Sequence, residues 1–325
     1  MKIISILAAK SAVMEAIADP RYLFTAANQF LKASGQKPLF EVQLVGESEE
    51  INLLNGVFSV RADKLFHEVT KTDLIIIPAL FGDMKTAVAQ NRNAIPWIIN
   101  QYNIGAEVAS LCVGAFLLAS TGLLRNKKCS THWAYYNEFR ETFPDVEIMD
   151  GSIITEENRI YSSGGANSYW NLLLYLLEKY TDRDTAILAA KYFAIDIDRE
   201  SQSSFAIFNG QKNHNDEEIK HSQEFIENNY CDKFTVDQLA QKVSINRRTF
   251  ERRFKLATNN TVVEYIQRVK IEAAKRNFES TRKNISEVMF DVGYSDTKAF
   301  RNVFKKITGL TPIEYRNKYF KEPVI

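Results

Sequence analysis

Two stretches near the C-terminus repeat one another at a spacing of 49 to 50 residues, and this duplication narrows the possible folds sharply. In the first stretch Val236, Leu239, Ala240 and Val243 mark one face of a short helix. A turn follows, with Asn246 positioned as the N-cap of a second helix that Phe250 and Phe254 anchor at i, i+4. The opposite face of that helix carries Arg247, Arg248, Glu251 and Arg252. In the second stretch Ile285, Val288, Met289 and Val292 repeat the first helix, Gly293 supplies the turn and Ser295 is the expected N-cap. Phe300 and Phe304 repeat the anchoring pair, and Asp296, Thr297, Lys298, Arg301, Asn302 and Lys305 form the outer surface. The extra residue in the second copy is absorbed in its turn.

A helix with an apolar anchor face and a cationic outer face, held behind a short helix and a tight turn, fits the DNA major groove. Arginine can bind guanine in bidentate fashion, lysine can bind phosphate or guanine, and asparagine and threonine can reach base edges. Two units on one chain could read successive groove segments roughly 34 Å apart. The segment Val262 to Phe278, with Val263, Ile266, Val269, Ala273 and Ala274 in helical register, would be the rigid link between them. Ordinary helical hairpins with solvated arginines are the alternative, and duplicated anchors with duplicated cationic faces weigh against it.

Net charge becomes informative only when divided. The whole chain has 41 Lys/Arg and 40 Asp/Glu, yet residues 233 to 321 hold 20 and 9, and the remainder 21 and 31. A basic module that meets a polyanion is thus joined to an acidic one with another task. The run from Gly293 through Tyr294-Ser295-Asp296 to Gly309, Pro312 and Arg316 resembles the AraC/XylS-type transcription-factor signature, and the resemblance covers the last 105 or so residues. It implies a seven-helix domain with two helix-turn-helix units that binds double-stranded promoter DNA. Where the second unit has Gly309 and Pro312, the first has Asn259 and Val262.

The acidic half alternates apolar strands (Lys2–Ala8, Leu39–Val45, Asp73–Pro78, Val108–Leu111, Arg159–Ser163) with helical spacing (Asp19–Ala33, Ala94–Tyr102, from about Gly114, Tyr169–Tyr180). Fully apolar strands interleaved with helices predict a parallel sheet covered on both faces, an α/β domain. The expected division is residues 1–200 for this domain, 201–216 for a linker and 217–325 for the all-α domain. The segment Asp196 to Glu218, rich in polar residues and without an apolar period, contains that linker. Three scattered cysteines and no spaced histidine ligands point to neither a disulfide framework nor a metal site, and no cofactor motif is evident. The first apolar run breaks at Lys10 and reads as a strand, not a signal peptide. With no long apolar span, a cytoplasmic protein without membrane contact is expected.

Within the α/β half, Cys112 falls between a strand and a helix, with Gly114 permitting close backbone approach. A helix N-terminus is expected to lower the thiol pKa there, and a nucleophile at a strand-to-helix turn is held at the sheet's C-terminal edge. His132 is a candidate base and Glu15 a candidate acid, although buried cysteines are commonly apolar filler. Ser162–Ser168 could cradle an anion, or form only a strand-to-helix turn, the reading preferred. The spacing around Cys112 resembles the ThiJ/PfpI superfamily, with its class-I glutamine-amidotransferase-like, flavodoxin-type sheet. Cys112 with Gly114-Ala115, Gly122-Leu123-Leu124 and Thr131-His132-Trp133 resembles the GlxA-type regulators, which fuse such a domain to an AraC-type one. Asn28, Gly165, Arg199, Gln202 and Phe205 fit the same pattern, and Asn171 stands where that family usually has aspartate. The resemblance implies a pocket lined by Glu15, Cys112, Val113, His132 and Gly165. The expected function is a non-enzymatic, sequence-specific DNA-binding regulator, controlled by a small-molecule effector at the N-terminal domain, that forms a homodimer through that domain. A cysteine-dependent hydrolase, amidase or hydratase with an added DNA-binding domain is the alternative, and a dimerisation scaffold is a third.

Overall fold

The computed structural model describes residues 1–53, 56–197 and 201–320, so Arg199 lies outside the described residues. The chain divides into two compact units, Met1–Gln202 and Ser203–Ile325.

The first unit opens with β1 (Lys2–Leu7), α1 (Glu15–Ala33), β2 (Phe40–Gly46), β3 (Glu50–Leu53), β4 (Phe58–Arg61) and β5 (Lys64–Leu65). It continues through β6 (Leu74–Ile77), α2 (Met84–Gln90), α3 (Ala94–Asn103), β7 (Glu107–Ser110), α4 (Ala115–Ser120) and β8 (Lys128–Cys129). α5 (Tyr136–Thr142), β9 (Glu147–Ile148), β10 (Ile154–Glu157), β11 (Ile160–Ser163), α6 (Tyr169–Tyr180) and α7 (Arg183–Phe193) complete it. The main sheet has the order β10-β11-β7-β6-β1-β2-β5 and is parallel except for β10. The all-apolar β6 is buried at every residue, as a strand covered on both faces must be. α1, α6 and α7 pack together, as do α2 and α4. The short β3–β4 hairpin and β8–β9 pair were not evident in the sequence. α1 begins four residues before the expected Asp19 and carries Pro20 within it. Strand order reverses between β1 and β6, and the β7 turn holding Cys112 lies beside that switch, where open α/β sheets bind ligands.

The second unit comprises α8 (Glu217–Asn228), α9 (Val236–Lys242), α10 (Arg247–Thr258), α11 (Val262–Ser280), α12 (Ile285–Asp291), α13 (Thr297–Thr308) and α14 (Pro312–Tyr319). Each repeat has its own core. Leu239, Phe250 and Phe254 join Ile219, Val262 and Tyr265 in one, while Val288, Phe300 and Phe304 join Ile271, Phe278 and Tyr315 in the other. α11 therefore serves both cores, its first turns one and its last turns the other. Val263 departs from the expected inward register and is 53% exposed. The residues read as linker are engaged: the Phe208 amide donates to Glu272 (3.1 Å), and Lys275 donates to the Ala206 carbonyl (2.6 Å). Lys275 and Glu272 form a buried ion pair at 2.8 Å.

Candidate functional site

The repeat is closer in three dimensions than in letters. α9 and α12 start with capping boxes, Thr235 with Gln238 and Asn284 with Glu287. The turn residue is Gly293 in one unit (φ 76°) and Ser244 in the other (φ 56°), both in the left-handed region. After the recognition helices, Asn259 (φ 55°) takes the same conformation as Gly309 (φ 76°), so the two turns match despite the different residues. Asparagine tolerates this region because its short amide bonds locally. α11 and α14 then begin with equivalent boxes, Thr261 with Glu264 and Thr311 with Glu314. Equivalent tyrosines donate to equivalent glutamates, Tyr265 to Glu227 (2.6 Å) and Tyr315 to Glu279 (2.5 Å).

Asn246 caps α10, its side chain accepting from the Thr249 amide at 2.9 Å. The expected cap of α13 requires correction. Asp296, not Ser295, accepts from the Ala299 amide (2.5 Å), because Asp296 holds the extended backbone a cap needs and the helix begins at Thr297. Arg247, Arg248, Glu251 and Arg252 all face outward on α10, as do Thr297, Lys298, Arg301, Asn302 and Lys305 on α13, while the four phenylalanines are fully buried. Arg247 pairs with Asp237 (2.9 Å) and Glu251 (3.2 Å). Among the described residues Arg248, Arg252, Lys298, Arg301 and Lys305 form no ion pair, so their charge is available to a phosphate or a base edge. Arg253, not singled out from the sequence, is engaged by Asp216, the N-cap of α8, and Glu218 in its first turn.

In the α/β unit Cys112 sits at the end of β7 with φ 54°, a strained conformation for a residue with a Cβ. It opens a 3-10 turn, Cys112–Gly114, ahead of α4, which starts at Ala115, one residue after the expected Gly114. Gly114 is required: a Cβ there would lie 2.4 Å from the Pro78 carbonyl oxygen and 2.9 Å from that of Ile77. The Cys112 amide donates to Ser163 Oγ (3.1 Å), and Thr131 donates to the Cys112 carbonyl (3.2 Å), which brings His132 to the neighbourhood. The expected thiolate is overturned. Cys112 is 5% exposed, and burial pushes its thiol up to about 12 against the modest help of the Val113 amide. Burial likewise lowers the His132 pKa, and its Nδ1 is spent accepting the Ala134 amide at 3.1 Å. Glu15 is exposed in the first turn of α1. Among the described residues no hydrogen bond joins the Cys112 sulfur to His132 or Glu15. Val113 and Gly165 are buried beside the elbow's loops.

Gln202, which the family pattern picks out, acts through contacts the sequence does not show. Its amide donates to the Thr131 carbonyl (2.9 Å), the Tyr136 hydroxyl (2.9 Å) and the Ser152 carbonyl (3.1 Å), and accepts from the Trp133 amide (3.2 Å). It fills the space over Gly164, where a Cβ would lie 1.9 Å from its Nε2. The Ser162–Ser168 loop is thus a strand-to-helix turn closed by a glutamine. Asn28 ties α1 to the start of β2 by bonding the Leu39 and Phe40 backbone, and Asn171 donates to the Asp196 carbonyl.

A switch-point cysteine on a parallel sheet, together with a tandem helix-turn-helix, defines a flavodoxin-like α/β domain joined to an AraC-type reading domain. Residues 6–179 match the DJ-1/PfpI family and residues 239–318 a helix-turn-helix domain. The chain belongs to the DJ-1/PfpI family and carries the helix-turn-helix domain at its C-terminal end. It is 26% identical over 215 residues to the HTH-type transcriptional regulator ArgR of Pseudomonas aeruginosa, 66% of this chain and 65% of that protein. It is 21% identical over 266 residues to CdhR of the same species, 81% of this chain and 77% of that one. The matched stretch spans less than two thirds of ArgR and of GbdR, 65% and 61%. The fold is shared with an AraC family transcriptional regulator from Pseudomonas putida (TM-score 0.51, 16% identity, 59% of this chain and 100% of that one). It is shared also with a ThiJ/PfpI family protein from Pseudomonas syringae (TM-score 0.51, 14% identity, 62% and 78%).

Proposed function

We propose that this chain is a sequence-specific DNA-binding transcription regulator that reads duplex DNA with α10 and α13. The observation that carries this is the duplicated helix face: buried phenylalanine pairs beneath exposed cations, of which Arg248, Arg252, Lys298, Arg301 and Lys305 form no ion pair among the described residues. Arg248 and Arg301 are the base-reading candidates, with Lys298 and Lys305 on phosphate. The family of named regulators to which the chain is similar supports the same role. The α/β unit is the site of control, by a small-molecule effector near the Cys112 elbow, and of homodimer formation, in a cytoplasmic protein. Among the described residues no helix is long and apolar enough to cross a membrane. The hydrolase or amidase alternative loses ground because a neutral thiol without a bonded base is a poor nucleophile.

The test is selection of genomic duplex fragments by the full chain, followed by affinity measurements across salt. Binding weakens steeply with salt, and Arg248→Ala or Arg301→Ala each costs on the order of tenfold or more at particular base pairs. Absence of duplex binding at low salt would remove the regulator assignment.

A further inference from the structure

We propose that Arg253 is a positioning residue that sets the first recognition helix through the N-terminus of α8, and that it does not itself contact DNA. The proposal rests on the DNA-reading role above. Arg253 lies on α10, and its Nε and Nη2 donate to the two carboxylate oxygens of Asp216 at 2.8 and 2.6 Å. Nη2 also donates to Glu218 at 2.7 Å. This is a two-pronged, charge-assisted grip with its guanidinium plane fixed, unlike a single flexible lysine contact. To reach a phosphate, Arg253 would have to abandon two carboxylates that hold it at hydrogen-bonding distance.

The two repeats differ at this point. Fifty residues on, the equivalent of Arg253 is Val303, which packs against the second apolar core. α13 is therefore seated by apolar contact at the position where α10 is held by an ionic fork. The carboxylates at the other end are also specific in placement. Asp216 is the N-cap of α8, accepting from the Ile219 amide at 3.3 Å, and Glu218 stands in the same first turn. The Asp216 amide in turn donates to His214 Nδ1 (3.2 Å), and the other His214 ring nitrogen is 2.8 Å from the Gln223 carboxamide oxygen. Gln223 donates to the Gln211 carbonyl at 2.8 Å. Residues 211–216, which lead into α8, thus connect by short steps to α10. No corresponding fork exists on α13 among the described residues.

The experiment uses the full chain and randomised duplexes, scoring discrimination at each base pair. Positions altered by Arg248→Ala mark the half-site of the first unit, and positions altered by Arg301→Ala mark that of the second. Arg253→Ala, Arg253→Lys and Asp216→Asn are then compared. Asparagine keeps the helix cap of α8 and removes only the charge that holds Arg253. The expected result is a loss of discrimination on the order of tenfold at first-unit positions in all three variants, with second-unit positions unchanged. The salt slope of Arg253→Ala stays at the wild-type value. The proposal is overturned if that slope drops by about 0.9, the signature of a lost phosphate contact. It is equally overturned if Asp216→Asn tightens binding at both half-sites, or if both half-sites weaken together. Should Arg253→Ala lose its helical circular dichroism, Asp216→Asn decides. Failure of the wild-type chain to bind any duplex would instead remove the regulator assignment.

Discussion

A cysteine at the start of a helical turn feels two opposing forces: the backbone amides favour its anion and burial favours the neutral thiol. At Cys112 burial prevails, and Cys129 is pushed up to about 12 in the same way. An unfolded thiol titrates near 8.5, so above that pH the native state holds protons that the unfolded chain has released. Stability therefore falls as pH rises from about 8.5 toward 10, by about 1.4 kcal/mol per pH unit for each thiol, and is insensitive to these groups below pH 8. Urea unfolding of Cys112→Ala between pH 8 and 10 is expected to show a slope shallower by about that amount, and an unchanged slope would contradict the neutral thiol. Alkylation at pH 8, followed by peptide mass spectrometry, is expected to label exposed Cys231 long before Cys112. Gly114→Ala forces a methyl group into two carbonyl oxygens and is expected to cost about 3 kcal/mol, measured by denaturant titration.

At the scale of the element, caps and left-handed turns define the repeat. Asp296→Ala removes the α13 cap and is expected to lower stability by about 1 kcal/mol, while Ser295→Ala is expected to change it little. Asn259→Gly is expected to fall within about 0.5 kcal/mol of wild type, whereas a β-branched residue there would cost about 1–2 kcal/mol. Thermal unfolding of the four variants reads both comparisons. The recognition helices were legible because Phe250, Phe254, Phe300 and Phe304 follow the helical period, and so were the strands whose residues are apolar throughout. The cap was misassigned because Ser295 and Asp296 are both good capping residues, and only backbone geometry separates them. Two-residue strands such as β8 leave no period to detect. Arg253 acts through partners 35 and 37 residues away that no local pattern announces, and the family pattern that picks out Gln202 does not show its partners, as far as 71 residues away.

For the molecule as a whole, the division between the units at Gln202 and Ser203 falls within the expected linker, near its N-terminal end. Residues 201–216 are expected to be a linker, and within them Ser204, Ala206 and Phe208 hydrogen-bond to Tyr319, Lys275 and Glu272. A fragment starting at Ser203 is accordingly expected to melt several degrees above one starting at Glu217, which also lacks the Asp216 cap. Equal melting temperatures would show that those contacts add nothing to the helical unit. The tandem arrangement has one more effect. The two units share a backbone plan yet present Arg247-Arg248 on one and Thr297-Lys298 on the other. They follow one another along a single chain, and no half-turn exchanges them. A duplex engaged by both would have a left and a right end, so inverting the site within a promoter would reverse the direction in which the rest of the protein faces.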